Sequence, residues 1–315
     1  MVRTRELVPF LDEMRYELFG QFLEGGSRPS PSDLDFETKR LAETIGPRLR
    51  EHGIIIHDGR ISGVIYGTSS AWDTKVLGIS TAKIPYCLFS PALPHDVRLY
   101  ALKSSLHRLG RTHRLVVARI PLVARNAIDS LVEEGAVLTD VLLTFRVELT
   151  DPVVKKTSAD QVVIGPASEE DSDMIKEISR SSFRAGHFHA DPKVPKSAAD
   201  NVYATISMEQ LRDNRWEVAK AQMGSELVGF VSYAKSGFGR SYKYSQISLL
   251  AVATGKRKKG VATELVQYAM NRMKRFGSRS LFVSTQATNL SAVRLYERTG
   301  FVASNAMCTF HIWLH

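Results

Sequence analysis

Residues 252–262 read Val-Ala-Thr-Gly-Lys-Arg-Lys-Lys-Gly-Val-Ala, and this stretch decides how the rest of the chain is interpreted. A strand-like apolar run, residues 247–252, leads into it, and a helix-like run, residues 261–276, follows it. A short basic loop therefore joins the end of a strand to the first turn of a helix. The unpaired N–H groups and the positive dipole at a helix N-terminus bind anions. The stretch predicts a pyrophosphate site.

The positive charge of the chain is concentrated in the half that contains this loop. The 315 residues include 42 Lys and Arg against 33 Asp and Glu, a net charge of +9. Residues 1–150 hold 19 basic and 18 acidic residues, whereas residues 151–315 hold 23 and 15, a net charge of +8. No basic face is interleaved with aromatic residues, so we expect no nucleic-acid partner. Two interpretations of the basic excess stay open: it attracts a small polyanion, or it is an ordinary basic surface.

Length and composition are typical of a globular protein large enough for two domains. Apolar residues make up 43% of the chain and charged residues 24%. No apolar run is long enough to span a bilayer, and the first 25 residues carry acids, so we expect neither a membrane segment nor a signal peptide. Cys87 and Cys308 show no disulfide or metal-ligand spacing. We therefore expect buried thiols, no metal site and a cytoplasmic location.

An internal repeat organises the chain. Residues 115–149, shifted by 165 positions, align with residues 280–314 without a gap. Gly135 then aligns with Gly300, and Leu149 with Leu314. A repeat of this length implies two copies of one supersecondary unit.

Two tandem domains of mixed α/β type are therefore expected, the first over residues 1–150 and the second over residues 151–315. Residues 1–50 contain two helix-like stretches and are interpreted as an extension of the first domain. A strand is expected over residues 77–84. The stretch 150–166, with Asp-Pro, a polar segment and Gly-Pro, is interpreted as the connection between domains.

Two motifs carry the chemistry. The loop fits Val-x-x-x-x-Arg-x-x-Gly-x-Ala at residues 252–262, where small residues let the backbone approach phosphate oxygens. Residues 289–301 read Asn-Leu-Ser-Ala-Val-Arg-Leu-Tyr-Glu-Arg-Thr-Gly-Phe, which alone would also fit an ordinary amphipathic helix. Together the two motifs resemble the Gcn5-related N-acetyltransferase (GNAT) superfamily over residues 165–315.

This resemblance implies an acyl donor, acetyl-CoA or another short acyl-CoA, and a place for it. In the superfamily the pantetheine arm pairs with strand residues that correspond to Leu250, Ala251 and Val252. The pyrophosphate is held by the residues that correspond to Arg257, Lys258, Lys259, Gly260, Val261 and Ala262. Asn289 would contact the cofactor arm. Tyr296 would protonate the departing thiolate, a general-acid role that suits a phenol.

A narrower resemblance concerns the acceptor. Residues 72–78, residues 188–192 with Tyr203 downstream, and residues 283–286 resemble the dTDP-fucosamine acetyltransferases and related sugar-nucleotide N-acyltransferases. The implied acceptor is the amino group of a small molecule, a dTDP- or UDP-linked amino-deoxy sugar. In those two-domain enzymes a degenerate first domain packs on the catalytic one, and related proteins commonly form dimers, so a homodimer is an expectation as well.

A base or a water chain must remove a proton from the attacking amine. His187, His189 and Asp191 are the candidates, because they follow the first helix of the catalytic half. The alternative is a helix-terminal loop with surface histidines.

The repeat predicts that the first copy is catalytically silent. Tyr296 aligns with Leu131, which cannot donate a proton, and Gln286 aligns with Pro121. A prolyl segment, residues 91–94, stands where the basic loop would be and offers fewer N–H groups to a phosphate.

The expected function is direct transfer of an acyl group from acyl-CoA to an amino sugar in a ternary complex, since no nucleophile is indicated to carry it. Two alternatives stay open. The acceptor could be another amine, such as an antibiotic, a polyamine or a protein, or the chain could bind CoA without turnover.

Overall fold

The computed structural model of the protein describes residues 4–23, 28–149, 162–238 and 242–315. It divides into two compact units. Unit 1 consists of Met1–Leu142 together with Asn305–His315, and unit 2 of Leu143–Ser304. The boundary predicted between residues 150 and 151 lies outside the described residues.

Unit 1 is a mixed sheet with helices on both faces. Its helices are α1 (Thr4–Glu13), α2 (Arg15–Leu23), α3 (Pro31–His52), α4 (Ala71–Leu77), α5 (His95–Gly110) and α6 (Arg125–Glu133). Its strands are β1 (Gly53–Asp58), β2 (Arg60–Ser69), β3 (Thr81–Phe89), β4 (Leu115–Pro121) and most of β11 (Val302–Trp313). These strands lie in the order β1-β2-β3-β4-β11. Only β3 and β4 are parallel; the other neighbours are antiparallel.

Unit 2 repeats this plan. Its strands are the second part of β5 (Val137–Glu148), then β6 (Val162–Pro166), β7 (Trp216–Met223), β8 (Glu226–Phe238), β9 (Tyr242–Val252) and β10 (Ser280–Gln286). Its helices are α7 (Ser172–Ser182), α8 (His187–Ala190), α9 (Lys196–Arg212), α10 (Val261–Arg275) and α11 (Leu290–Arg298). The strands lie in the order β5-β10-β9-β8-β7-β6, and β9 and β10 are parallel.

Each sheet is buried on both faces. In unit 1, apolar residues of α5 and α6 form a core against one face, and α1 and α3 form a second core against the other. In unit 2, α10 and α11 cover one face, and α7 and α9 cover the other. Both faces of each sheet are thereby removed from water, which is the main source of stability in such layered folds.

The predicted repeat is confirmed by the positions of the elements. The bounds of β4, α6 and β5, shifted by 165, coincide with those of β10, α11 and β11. The helix in each copy ends at a glycine with a left-handed backbone, Gly135 with φ +79° and Gly300 with φ +90°. A side chain with a Cβ is strained in that conformation, so both copies use the same residue to turn back into a strand.

The two repeats exchange their last strands. Although β11 follows α11, it pairs with β4 in unit 1, from Met307↔Pro121 to Trp313↔Leu115. Conversely, the residues of β5 from Leu143 onward belong to unit 2, where β5 lies next to β10. Cys308, Phe310 and Ile312 therefore enter the core of unit 1, while Phe145 and Val147 enter that of unit 2.

Two expectations from the sequence need correction. The strand expected over residues 77–84 begins only at Thr81, because residues 71–77 form α4, which ends at Gly78 with φ +69°. The expected connection 150–166 includes a strand, since Val162–Pro166 is β6 and pairs with β7. Residues 150–161 of that connection lie outside the described residues.

Candidate active site

Two parallel strands of unit 2 part toward their carboxyl ends, and the gap between them is called the cleft below. The pairing of β9 with β10 runs from Tyr244↔Ser280 to Ile247↔Val283 and stops there, although both strands continue. Beyond Ile247, β9 stays bonded to β8 on its other edge. The edge of β9 that faces β10 is therefore free over its last residues. A crevice at the carboxyl ends of parallel strands is where open α/β sheets bind ligands.

Leu250, Ala251 and Val252 lie on this stretch of β9, which is not paired with β10; the pairing of a cofactor arm with them stays a prediction. Their other edge pairs with β8, Leu250 with Val231 and Val252 with Gly229. Gly229 is required there, since a Cβ at this position would lie 2.8 Å from the carbonyl oxygen of Ala251. The glycine therefore lets β8 approach β9 closely.

The loop between β9 and α10 has the backbone of an anion site. A 3-10 turn over Thr254–Lys256 is followed by two residues in left-handed conformation, Lys258 with φ +63° and Gly260 with φ +81°. Gly260 is the N-cap of α10, and Val261 and Ala262 anchor the first turn of the helix in the core. Left-handed residues in a turn before a helix N-terminus are typical of the concave backbone sites that bind anions.

The cations of this loop divide into two groups. Arg257 is folded back: its Nε donates to the carbonyl oxygen of Val252 (3.1 Å) and its Nη2 to Ser182 Oγ (3.2 Å). Lys256 is paired with Glu226 at 2.6 Å. Lys258 and Lys259 are exposed, and within the described part of the chain neither ammonium group has an ion-pair partner. Arg257 thus holds the loop in place, and two lysines remain for an anion.

Asn289 caps the helix that carries Tyr296. Its Oδ1 accepts from the backbone N–H of Ala292 (3.3 Å), and its Nδ2 donates to Thr285 Oγ1 (3.2 Å). The side chain therefore joins the end of β10 to the first turn of α11. A contact between Asn289 and a cofactor arm stays a prediction.

Tyr296 lies on the buried face of α11. It is 4% exposed, and its ring packs against Phe145 and Phe301 at centroid distances of 5.8 and 5.6 Å. Burial raises the pKa of its hydroxyl above the ordinary value of 10. The phenol is therefore protonated throughout the neutral range, as a proton donor must be; its donation to a cofactor sulfur stays a prediction.

The candidate bases lie on and after the short helix α8. His189 Nε2 lies 3.0 Å from Asp200 Oδ1 on α9, and its buried Nδ1 has no hydrogen-bond partner among the described residues. Asp191 accepts from the backbone N–H of Lys193 (2.9 Å), and the His187 ring lies 3.9 Å from that of Phe188. His189 therefore combines an orienting carboxylate with a ring nitrogen that has no partner among the described residues.

The structure connects the end of α7 to the anion loop. Ser182, the last residue of α7, bonds to the carbonyl oxygen of Val252 (3.4 Å) and accepts from Arg257. Sequence analysis missed both Ser182 and Asp200, because a serine at a helix end and an aspartate inside a helix carry no signal without their partners.

The described residues lack two features that mark other classes of protein. In residues 4–23, 28–149, 162–238 and 242–315, no helix is long and apolar enough to cross a membrane. The same residues contain no group of three His, Cys, Asp or Glu placed to hold a metal ion.

Comparison with known proteins points to one family. Residues 173–301 match the model of the Acetyltransferase (GNAT) family. The chain is 23% identical over 265 residues to the spore coat polysaccharide biosynthesis protein SpsD of Bacillus subtilis, covering 82% of this chain and 86% of that protein. A shorter match, 30% identical over 92 residues, is to N-alpha-acetyltransferase 30 of Xenopus laevis, covering 29% and 34%.

A solved structure supports the fold over the whole chain. A GCN5-related N-acetyltransferase from Sphaerobacter thermophilus superposes with a TM-score of 0.63 at 13% identity, covering 96% of this chain and 94% of that one. At this identity the likeness is one of fold alone.

Proposed function

We propose that this acyltransferase, whose residues 173–301 match the Acetyltransferase (GNAT) family, takes its acyl group from acetyl-CoA or another short acyl-CoA. The proposed acceptor is a nucleotide-linked amino-deoxy sugar. The observation that carries the donor proposal is the β9–β10 cleft with its loop. The free edge of β9, the left-handed residues Lys258 and Gly260, and the unpaired Lys258 and Lys259 suit an extended arm that ends in a pyrophosphate.

When bound, the donor supplies a thioester, which is an activated acyl group with a thiolate leaving group. Residues 250–252 would hold the arm by backbone hydrogen bonds along the cleft, and residues 257–262 would hold the phosphates. Tyr296, kept protonated by its burial, would give its proton to the sulfur as the bond to the acyl carbon breaks. Asn289 fixes α11 at its first turn and so holds Tyr296 in place.

The amine must lose a proton before or during attack. We assign this step to the segment His187–Asp191, with His189 favoured because Asp200 orients its imidazole. No residue is proposed to carry the acyl group, so transfer is direct within a ternary complex. Location in the cytoplasm belongs to the same proposal, since Cys87 and Cys308 are free and buried thiols, and assembly as a homodimer stays an open prediction.

The sugar acceptor is supported by the match to SpsD, a protein of polysaccharide biosynthesis, over most of both chains. A second candidate, an amine at a protein N-terminus, is favoured by the match to N-alpha-acetyltransferase 30, but that match spans only 29% of this chain. The longer match covers both units, so we place the sugar first.

Thiol release from acetyl-CoA, measured with a panel of amines, tests the proposal. We expect release with a dTDP- or UDP-linked amino sugar, and much less with polyamines, aminoglycosides or peptides. Release with peptides alone would replace the sugar by a protein acceptor. Binding of CoA without release for any amine would leave a CoA-binding protein, and absence of binding would refute the donor assignment.

A further inference from the structure

A buried glutamine braces the strand that forms the cleft. Gln210 lies near the end of α9 and is 7% exposed. Its Nε2 donates to Ser248 Oγ on β9 at 2.7 Å, and its Oε1 accepts from Ser232 Oγ on β8 at 2.6 Å. One side chain therefore joins a helix to two adjacent strands.

The brace sits on a break in the strand ladder. Ser232 pairs with Leu249, but the next pair is Tyr233 with Ile247, so Ser248 is an extra residue in β9. Such a β-bulge leaves backbone groups without their usual partners. The N–H of Leu249 is satisfied instead by Ser232 Oγ, at 3.1 Å.

The direction of these hydrogen bonds is determined by the chemistry of the groups. Because Ser232 Oγ accepts from the Leu249 N–H, its own proton is free to go to Gln210 Oε1. The amide nitrogen of Gln210 is then the end that faces Ser248. Each of the side-chain polar atoms of Gln210, Ser232 and Ser248 thus has at least one partner, and buried polar networks hold one arrangement when their members are partnered.

The bulge lies at the closed end of the cleft. The last β9–β10 pair is Ile247↔Val283, and Ser248 is the next residue. From Leu249 to Val252 the strand rises about 10 Å toward the anion loop. A donor whose phosphates lie on that loop, with its arm along β9, therefore has its acyl end at the bulge.

The first repeat carries a bulge at the matching place in its own sheet. In unit 1, Tyr66 pairs with Tyr86 and Thr68 with Lys83, so β3 also carries one extra residue, at Ile84-Pro85. The pairs Gly63↔Phe89 and Gly229↔Val252 place Pro85 where Ser248 stands. Pro85 itself has no N–H, and Tyr86 stands where Leu249 does.

From this we infer that Gln210 is a positioning residue for acyl transfer: it holds the backbone of residues 248–250 in the arrangement that receives the acyl end of the donor. The inference rests on the proposed function. The inference gives α9 two roles. Asp200, near the start of the helix, orients His189, and Gln210, near its end, fixes the bulge.

Gln210→Leu removes the brace while keeping the volume close to native. We expect the turnover of acyl-CoA to fall at least tenfold, since small displacements of a reacting group cost up to about a hundredfold. The dissociation constant of CoA should stay within twofold, because the phosphate loop is untouched. Ser248→Ala, which removes only one hydrogen bond of the network, should give a smaller loss in the same direction.

Ser207→Ala is the matched control. Ser207 lies one turn earlier on α9, is 1% exposed and bonds to Ser179 and to Ala204, not to a strand. It should lose stability but keep turnover within twofold. The inference is wrong if Gln210→Leu folds and has the same turnover as Ser207→Ala. If Gln210→Leu does not fold, the comparison is made with Ser248→Ala instead, and a turnover equal to that of Ser207→Ala overturns the inference. If the wild-type protein releases no thiol with any amine, the proposed function is contradicted instead. Hydrogen exchange of the Leu249 amide then tests the brace itself. We expect that exchange to be at least tenfold faster in Gln210→Leu if the brace fixes the bulge.

Discussion

Replacing Tyr296 by phenylalanine removes one oxygen atom from the buried face of α11. The ring contacts with Phe145 and Phe301, at 5.8 and 5.6 Å between centroids, remain. The free energy of unfolding should therefore change by less than about 1 kcal/mol. The proton donor is lost, and general acid catalysis contributes on the order of a hundredfold or more. We expect turnover to fall about 100-fold, which corresponds to ~2.7 kcal/mol in the barrier.

The assay is thiol release at saturating donor and acceptor, with the dissociation constant of CoA measured in parallel and expected to stay within twofold. Thr299→Val is the control, because Thr299 is also buried near the end of α11 and its hydroxyl bonds only to the carbonyl oxygens of Leu295 and Tyr296. Turnover of Tyr296→Phe within threefold of the control would remove Tyr296 from the role of acid.

The pH dependence gives a second test of the same residue. Burial raises the pKa of Tyr296 above 10, so the protonated phenol persists on the alkaline side of neutrality. Turnover should not fall between pH 7 and pH 9 through ionisation of Tyr296. An alkaline loss in that range that disappears in Tyr296→Phe would contradict the reasoning.

Three further changes test the loop, the strand and the N-terminal helices. Lys258→Gln should weaken CoA binding about two- to fivefold in calorimetric titration, less so at high salt, whereas Lys256→Gln, which removes an ammonium already held in an ion pair, should change it less than twofold. Gly229→Ala should lower the free energy of unfolding in urea by about 1–3 kcal/mol, because its Cβ would meet a backbone oxygen of β9 at 2.8 Å, while Gly165→Ala, with nothing within 4 Å, should not. Burial raises the pKa of the Glu17 carboxyl from 4.5 to about 7. Below pH 4.5 the neutral carboxyl leaves the stability of the folded protein intact, and that stability is lost as pH rises toward 7. Glu17→Gln should therefore raise Tm at pH 8 and not at pH 4, and an equal rise at both would show that charge is not the cause.

The loop and the repeat could be predicted from the sequence because both depend on local patterns. The strand run, the glycine and the helix run around residues 252–262 are each visible within a few residues, and β9, Gly260 and α10 lie where those patterns put them. The shift of 165 was visible because spacing between turns survives when few residues are identical.

The elements that escaped prediction depend on distant partners. α4 is seven residues long and follows no helical periodicity that stands out from its surroundings. β6 is a strand because β7 pairs with it. The site likewise needs the structure: the N–H of Leu249 finds its acceptor on Ser232, and Gln210 joins them from α9. Serine and glutamine are too common for their spacing to indicate such a network.

The exchange of the last strands has a consequence for how the protein is made. Arg119 of β4 bonds to Thr309 of β11, 190 residues further along the chain. During synthesis at about 5–20 residues per second, the open edge of β4 waits about 10–40 s for its neighbour. An unpaired strand edge is a site of misassembly and aggregation. Unit 1 is thus synthesised first, but its sheet is completed last. Ribosome-bound chains stalled before residue 305 should therefore be captured by chaperones and cut by proteases within unit 1.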